Sequence, residues 1–206
     1  MGTIIAYLII ISLLVRALVR TGKRSKGRQG EKKVSSRLQA LTKKGKFNVL
    51  NDVLLRKDSG ATSQLDHVVV GEAGVFVIET KNFKGVITGE PGDVEWWQDT
   101  GHADSPFENP LCQNKGHIAA LKELLGDKFP DLKYHSLAVF PSRHLLHVED
   151  ARVVSRKELQ GAILSHTVKN ISADDIDEIT GIIKSANITS RRDRRRHIRD
   201  VKKRWK

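Results

Sequence analysis

Residues 64–82, QLDHVVVGEAGVFVIETKN, constrain the fold more than any other stretch of the chain. Residues 68–70 (VVV) and 75–78 (VFVI) are apolar at every position. Neither run suits a sheet that exposes one face, so both read as strands covered on both sides in the middle of a sheet. GEAG between them is the turn. Symmetric pairing, with Val70 opposite Val75, places Asp66 directly across from Glu79, with their Cβ atoms about 5 Å apart. Lys81 follows two residues after Glu79 and shares its strand face. Two carboxylates at that distance in a buried setting raise each other's pKa unless a cation lies between them. A structural ion pair of Asp66 with Lys81, with Glu79 turned to solvent, uses the same residues but does not explain why the charges cap such apolar segments. Hard oxygen ligands suit Mg²⁺, which takes one or two carboxylates and keeps several waters. A neighbouring ammonium can orient an attacking water or help deprotonate it.

Asp66, followed by Glu79-Thr80-Lys81 at the end of an apolar strand, resembles the core of the PD-(D/E)XK nuclease superfamily. Four blocks in order, GRQGE at 27–31, QLDHVVV at 64–70, GVFVIETKN at 74–82 and NPLCQNKGHIAAL at 109–121, are similar to the nuclease-related domain, or NERD, family. The resemblance covers roughly residues 27–140, and Leu65 stands where the superfamily's naming proline would be. It implies an α/β, restriction-endonuclease-like fold, a mixed sheet flanked by helices. It further implies Mg²⁺- or Mn²⁺-dependent hydrolysis of phosphodiester bonds in nucleic acid, DNA before RNA. Asp66, Glu79 and Glu31 would hold the metal, and Glu31, Asp66, Glu79, Lys81 and Gln113 would form the catalytic set. Glu31 read without the resemblance is also a glutamate that complements a helix dipole, and Gln113 an ordinary exposed glutamine. Many nucleases of this superfamily pair to cut both strands, so a homodimer is a further expectation.

Charge is divided unevenly along the 206 residues. Residues 16–33 hold eight Lys or Arg against Glu31, and residues 191–206 hold ten against Asp193 and Asp200. The ends therefore carry +7 and +8, which leaves residues 34–190 at −3 within a total of +12. Attraction to phosphate or anionic lipid comes from the ends and not from the body of the domain. The single cysteine, Cys112, excludes an internal disulfide and a cysteine-based metal cluster, and fits a reducing compartment.

Residues 3–19, TIIAYLIIISLLVRALV, are apolar apart from Arg16. As a helix they span about 25 Å, close to a hydrocarbon core of roughly 30 Å, and Arg16 can snorkel to the interface. Positive charge follows the apolar run instead of preceding it, which fits an uncleaved anchor better than a signal peptide. Arg16, Arg20, Lys23, Arg24, Lys26 and Arg28 then place the downstream side in the cytoplasm. The expectation is a single-pass membrane protein with a cytoplasmic domain, whose N-x-S/T sequons at Asn170 and Asn187 never meet a glycosylating lumen.

The remaining organisation reads as an anchor (3–19), a basic linker (20–27), a nuclease-like core (28–140), a helical completion (141–188) and a basic tail (189–206). A helix from near Arg28 to near Gly45 places Glu31, Val34, Leu38 and Leu41 on one stripe. Residues 47–55 read as the first strand, and residues 85–88 as a continuation of the hairpin's sheet. EPGD at 90–93 is turn chemistry. Trp96 and Trp97, if on a strand, point to opposite faces, one to the core and the other packed under the loop or, if exposed, able to stack a base. Asn109-Pro110 opens a helix to Leu125 with Leu111, Ile118, Leu121 and Leu125 as its stripe, and Gln113 and His117 one turn apart on a neighbouring face. Residues 134–140 and 151–154 read as strands. Ser155-Arg156-Lys157-Glu158 is a capping box opening a helix, and residues 172–175 read as a second helix start, followed by Ile176, Ile179 and Ile183 on one face. His144 and His147 have no third ligand nearby and read as loop residues. RRDRRRHIRDVKKRWK has no apolar periodicity and reads as a solvated helix or disordered tail that binds nucleic acid or anionic lipid. Besides the nuclease, these features fit a non-catalytic, membrane-tethered adaptor that binds nucleic acid or protein, or a structural membrane protein with an inert acidic pair.

Overall fold

In the computed structural model, which describes residues 26–43, 47–142 and 146–204, the apolar hairpin lies inside a five-stranded sheet. Residues 26–42 are helical (α1). The order continues Phe47–Arg56 (β1), Thr62–Gly71 (β2), Gly74–Thr80 (β3), Val86–Thr88 (β4), Glu95–Asp99 (β5), Asp104–Glu108 (β6), Pro110–Leu125 (α2), Tyr134–Phe140 (β7), Leu146–His147 (β8), Val153–Ser155 (β9), Leu159–Leu164 (α3), Ala173–Ala186 (α4) and Arg191–Arg204 (α5). The main sheet runs β1-β2-β3-β7-β9. Its first three strands form an antiparallel meander, and β7 and β9 add in parallel beyond β3.

Both faces of this sheet are covered by helices, so the fold is mixed α/β with helices flanking the sheet. Val68, Val70, Val75 and Val77 pack against Leu121 and Leu125 of α2 and Ile176, Ile179 and Ile183 of α4. On the other face Val69, Phe76 and Ile78 meet Val34, Leu38 and Leu41 of α1 and Leu159 and Ile163 of α3. Two covered faces explain why β2 and β3 are apolar at consecutive positions. Each such large side chain contributes about 2 kcal/mol by leaving water.

The helix boundaries follow their capping residues. Asn109 caps α2 and accepts from the Leu111 N–H, with Pro110 in the first turn. Ser172 and Asp175 form the reciprocal capping box of α4. Ser155 and Glu158 exchange the same pair of bonds, although α3 begins only at Leu159. Asn170 and Asn187 are structural: Asn170 Oδ1 accepts from the Lys133 N–H, and Asn187 Oδ1 from the Leu54 N–H.

Residues 85–88 do not extend the main sheet. Strand β4 belongs to a second sheet, ordered β6-β5-β4-β8. Gly85 turns the chain away with φ +80, and the Asp99 carbonyl occupies the place a Cβ would take, at 1.9 Å. The polar run WWQDTGHADSPFENP supplies the β5–β6 hairpin, which period and composition left without strands because most of its side chains are exposed. Trp96 and Trp97 do point to opposite faces: Trp96 is fully buried and Trp97 is 49% exposed. Trp96 packs with Ile87, Leu111 and Phe140, and its Nε1 donates to the Glu90 carbonyl at 2.7 Å. His147 is exposed on β8, and His144 lies outside the described residues. The expected anchor at 3–19 also lies outside them, and among the described residues no helix is long and apolar enough to cross a membrane.

Candidate active site

The hairpin pairs Val70 with Val75, Val69 with Phe76, Val68 with Val77 and His67 with Ile78, the symmetric register expected from its sequence. The next step in that register sets Asp66 opposite Glu79. There the ladder gives way to side-chain chemistry, and Asp66 Oδ2 accepts the Thr80 N–H at 2.8 Å.

A kink in β1 adjusts the same end of the sheet. Asn51 pairs with His67 and Val53 with Leu65, so Asp52 between them stands opposite Asp66. Asp52 is the one described non-glycine residue with positive φ, at +53. Leu50 and Val53, an odd number of residues apart, nevertheless belong to one core cluster, as do Leu65 and Val68. A regular strand sends such pairs to opposite faces. Both strands therefore turn over at Asp52, which allows Ser63 and Asp66, also an odd number apart, to line the same cleft.

Glu79 is 7% exposed and held from two sides. Lys81 Nζ donates to Glu79 Oε1 at 2.9 Å and also to Gln113 Oε1. His117 Nε2 lies 3.5 Å from Glu79 Oε2, and its Nδ1 lies 2.7 Å from Ser63 Oγ. A Ser63 hydroxyl donating to Nδ1 leaves the proton on Nε2, directed at the carboxylate. Helix α2 presents Gln113 and His117 because it is clamped onto the sheet: buried Asn114 Nδ2 donates to the Leu137 carbonyl and Ser136 Oγ at 3.0 Å and to the Val77 carbonyl at 3.2 Å. Helix α1 brings Glu31 by an equally close approach. A Cβ on Gly30 would sit 2.5 Å from Asn82 Cβ, and Asn82 Nδ2 donates to the Lys26 carbonyl.

The two strand carboxylates titrate in opposite directions. Burial pushes the Asp66 carboxyl well above its ordinary value, and the Glu79 and Glu31 charges push it further, against the Thr80 N–H and Lys81. Burial also acts to raise Glu79, but Lys81 and His117 outweigh it and hold this carboxylate below the usual range. Glu31 is raised by burial and by the charges of Asp52 and Glu79. Lys81 thus serves Glu79 more than Asp66, whose charge is left undercompensated.

Glu31, Asp66, Glu79, Gln113 and His117 line one cleft, with Thr62, Cys112, His197 and Val201 on its rim. Lys81 meets this set through its bonds to Glu79 and Gln113. Among the described residues no three His, Cys, Asp or Glu side chains form a ready metal cage. Glu31 arrives on a separate helix, lines the same cleft and acts electrostatically on Asp66. The donors that do meet, two hard carboxylates of which one is short of positive charge, fit a divalent cation that takes one or two carboxylates and keeps its waters.

The description of the nuclease-related domain matches residues 26–141, more than half of the chain. The chain belongs to the nuclease-related domain family. All five expected site residues lie inside the matched segment, which ends before α3, α4 and α5. An uncharacterized protein of Bacillus anthracis is 32% identical over 97% of this chain and 96% of its own length, so the likeness to that relative extends beyond the segment matched by the domain. No solved structure matches the chain.

Sequence reasoning missed several parts of this nuclease-related site. His117 carried a usable signal, since its spacing from Gln113 puts both on neighbouring turns of one helix. Asn114 carried a weaker one, a polar residue beside an apolar stripe far from either helix end. Ser63, Asp52 and His197 carried none, because their approach depends on the β1–β2 kink and on where α5 docks.

Proposed function

We infer that this nuclease-related protein is a metal-dependent phosphodiesterase acting on nucleic acid, DNA in preference to RNA, with a restriction-endonuclease-like core tethered to the cytoplasmic face of a membrane by residues 3–19. The observation that carries the reading is the end of the hairpin, where Asp66 faces Glu79 and Lys81 joins Glu79 to Gln113. Asp66 and Glu79 would hold Mg²⁺ or Mn²⁺, with Glu31 able to contribute through intervening water. When bound, the cation supplies Lewis-acid stabilisation of the phosphate's developing charge and acidifies water.

The chain's own groups divide the remaining work. Lys81 places an ammonium beside the carboxylates, where it orients the nucleophile and offsets negative charge. With Gln113 Oε1 engaged by Lys81, the Gln113 amide N–H groups are left to donate to a phosphate oxygen. His117, oriented by Ser63, keeps the second oxygen of Glu79 in place, so Glu79 cannot rotate out of the site.

The full chain is to be assayed with Mg²⁺ or Mn²⁺ on single-stranded DNA, duplex DNA and RNA. Cleavage is expected with metal, and losses of at least about a hundredfold are expected for Glu79→Ala and Lys81→Ala. Cleavage that survives either substitution ends this assignment.

A second reading is a membrane-tethered adaptor without catalysis. It is favoured by the way Lys81 and His117 already satisfy Glu79. The two readings separate on thermal unfolding: the nuclease expects Mg²⁺ or Mn²⁺ to raise Tm and Asp66→Ala to abolish the rise, whereas the adaptor expects no rise.

A further inference from the structure

The most basic element of the chain sits against its acidic cleft. Helix α5 is fixed on the rim by inward residues: Arg194 donates to Asp52 Oδ2 at 2.7 Å and to the Asp52 carbonyl at 2.8 Å, and His197 Nδ1 lies 2.8 Å from Thr62 Oγ1. His197 and Val201 line the cleft that contains Asp66 and Glu79. A second hollow shares Thr62, His197 and Val201 with that cleft and runs on past Arg56 and Arg196. The outward side of α5 carries Arg192, Arg195, Arg196, Arg199 and Lys203, all exposed, at spacings of three and four that keep them on one stripe.

We propose that α5 is the arm that grips the nucleic-acid backbone, holding phosphates along this stripe and leading the strand through the hollow into the cleft. The assignment rests on the nuclease reading of the cleft. Residues 34–190 carry −3, so the body of the domain repels a polyanion, and the +8 of residues 191–206 is the charge placed to reverse that. From Arg192 to Lys203 the stripe is about 16 Å long, which spans about five phosphates along one strand of a duplex, at 3.4 Å per nucleotide, and fewer on an extended single strand. A lipid surface fits less well. A helix lying on a membrane needs a broad apolar face turned to the acyl chains. The apolar residues of α5 are only Ile198, half-buried, and Val201, which is 37% exposed at the edge of the cleft, too few for such a face.

The test uses the full chain and its Arg195→Gln/Arg199→Gln variant, which leaves Arg194 and His197 in place. Anisotropy of a labelled 20-nucleotide single strand is followed in EDTA across a salt series. The variant is expected to bind on the order of tenfold more weakly at low salt, with the slope of log K against log salt reduced by about 1.4. The pair Arg192→Gln/Lys203→Gln, at the two ends of the stripe, is expected to reduce the slope by the same amount, which guards against a folding defect in either variant. Unchanged affinity and slope in both overturn the proposal. So does loss of binding to phosphatidylserine vesicles with oligonucleotide binding intact, which gives the helix to a lipid surface. Binding is read in EDTA and cleavage with Mg²⁺ or Mn²⁺, so strong oligonucleotide binding by a chain that cleaves nothing with metal refutes the nuclease reading and leaves the binding role of α5 standing.

Discussion

Asp66 is held where a neutral residue would be more stable. Burial, Glu79 and Glu31 all raise its carboxyl, so at neutral pH its ionised form weakens the fold. Asp66→Asn removes that charge while an amide oxygen still accepts the Thr80 N–H. We expect Asp66→Asn to raise stability by about 1 kcal/mol in EDTA and to lose any Mg²⁺-dependent rise, both read by thermal unfolding. His67 has the opposite pH signature. Burial lowers its imidazole from 6.5 to about 4, with Glu79 opposing, while its Nδ1 bonds Asn51. The unfolded chain binds this proton more readily, so the stability from neutral His67 is full above pH 6.5 and is lost as pH falls through about 4. The stake is roughly 3 kcal/mol, and the fall in Tm between pH 6.5 and 4 should be visibly flatter in His67→Gln. At this scale the sequence revealed Asp66, Glu79 and Lys81 because the alternation of a buried hairpin fixes which side chains meet. The opposite titration of the two carboxylates was not legible, since it depends on the distances from Lys81 and His117.

At the scale of elements, α1 and α2 are positioned by single small or polar residues. Gly30 allows α1 to touch the loop after β3, and Gly30→Val drives a Cβ into Asn82. We expect a loss of about 1–3 kcal/mol, with hydrogen exchange rising first in α1 and at Asn82. Asn114 donates three bonds across β3 and β7, and Asn114→Ala should cost about 2–3 kcal/mol in denaturant unfolding. If nuclease activity is present, that change should also lower it, because α2 carries Gln113 and His117. The helices were legible from their caps and stripes: Asn109-Pro110, Ser172 with Asp175, and Val34, Leu38 and Leu41 all sit as their patterns require. The second sheet was not. Its strands are short and largely exposed, so they lack the hydrophobic alternation that announces a strand, and Gly85 gives no sign in sequence that the chain turns out of the first sheet.

At the scale of the whole molecule, α5 joins the chain's last segment to its acidic cleft chiefly through Arg194, with His197 beside Thr62. Arg194 holds Asp52 at its strained backbone position, while Arg56 and Asp193 are 3.9 Å apart at the surface. Arg194→Ala should therefore release α5 with little change in global Tm. The measurement is hydrogen exchange, which should quicken across residues 191–204 while β2 and β3 keep their protection; simultaneous loss of protection in β2 would show that α5 is part of the global unit. The sequence by itself determined the buried hairpin, its register, the charge pair at its end, the helices before α5 and the uneven distribution of charge, because each rests on period, spacing or composition within a short stretch. Tertiary structure decided that β4 leaves the main sheet, that β1 and β2 turn over at Asp52, that Glu31 reaches the cleft from a separate helix, and that a tail without apolar periodicity seats His197 in the cleft. These outcomes depend on which distant surfaces meet, and no local pattern encodes a contact made by one arginine with a kinked strand 142 positions away.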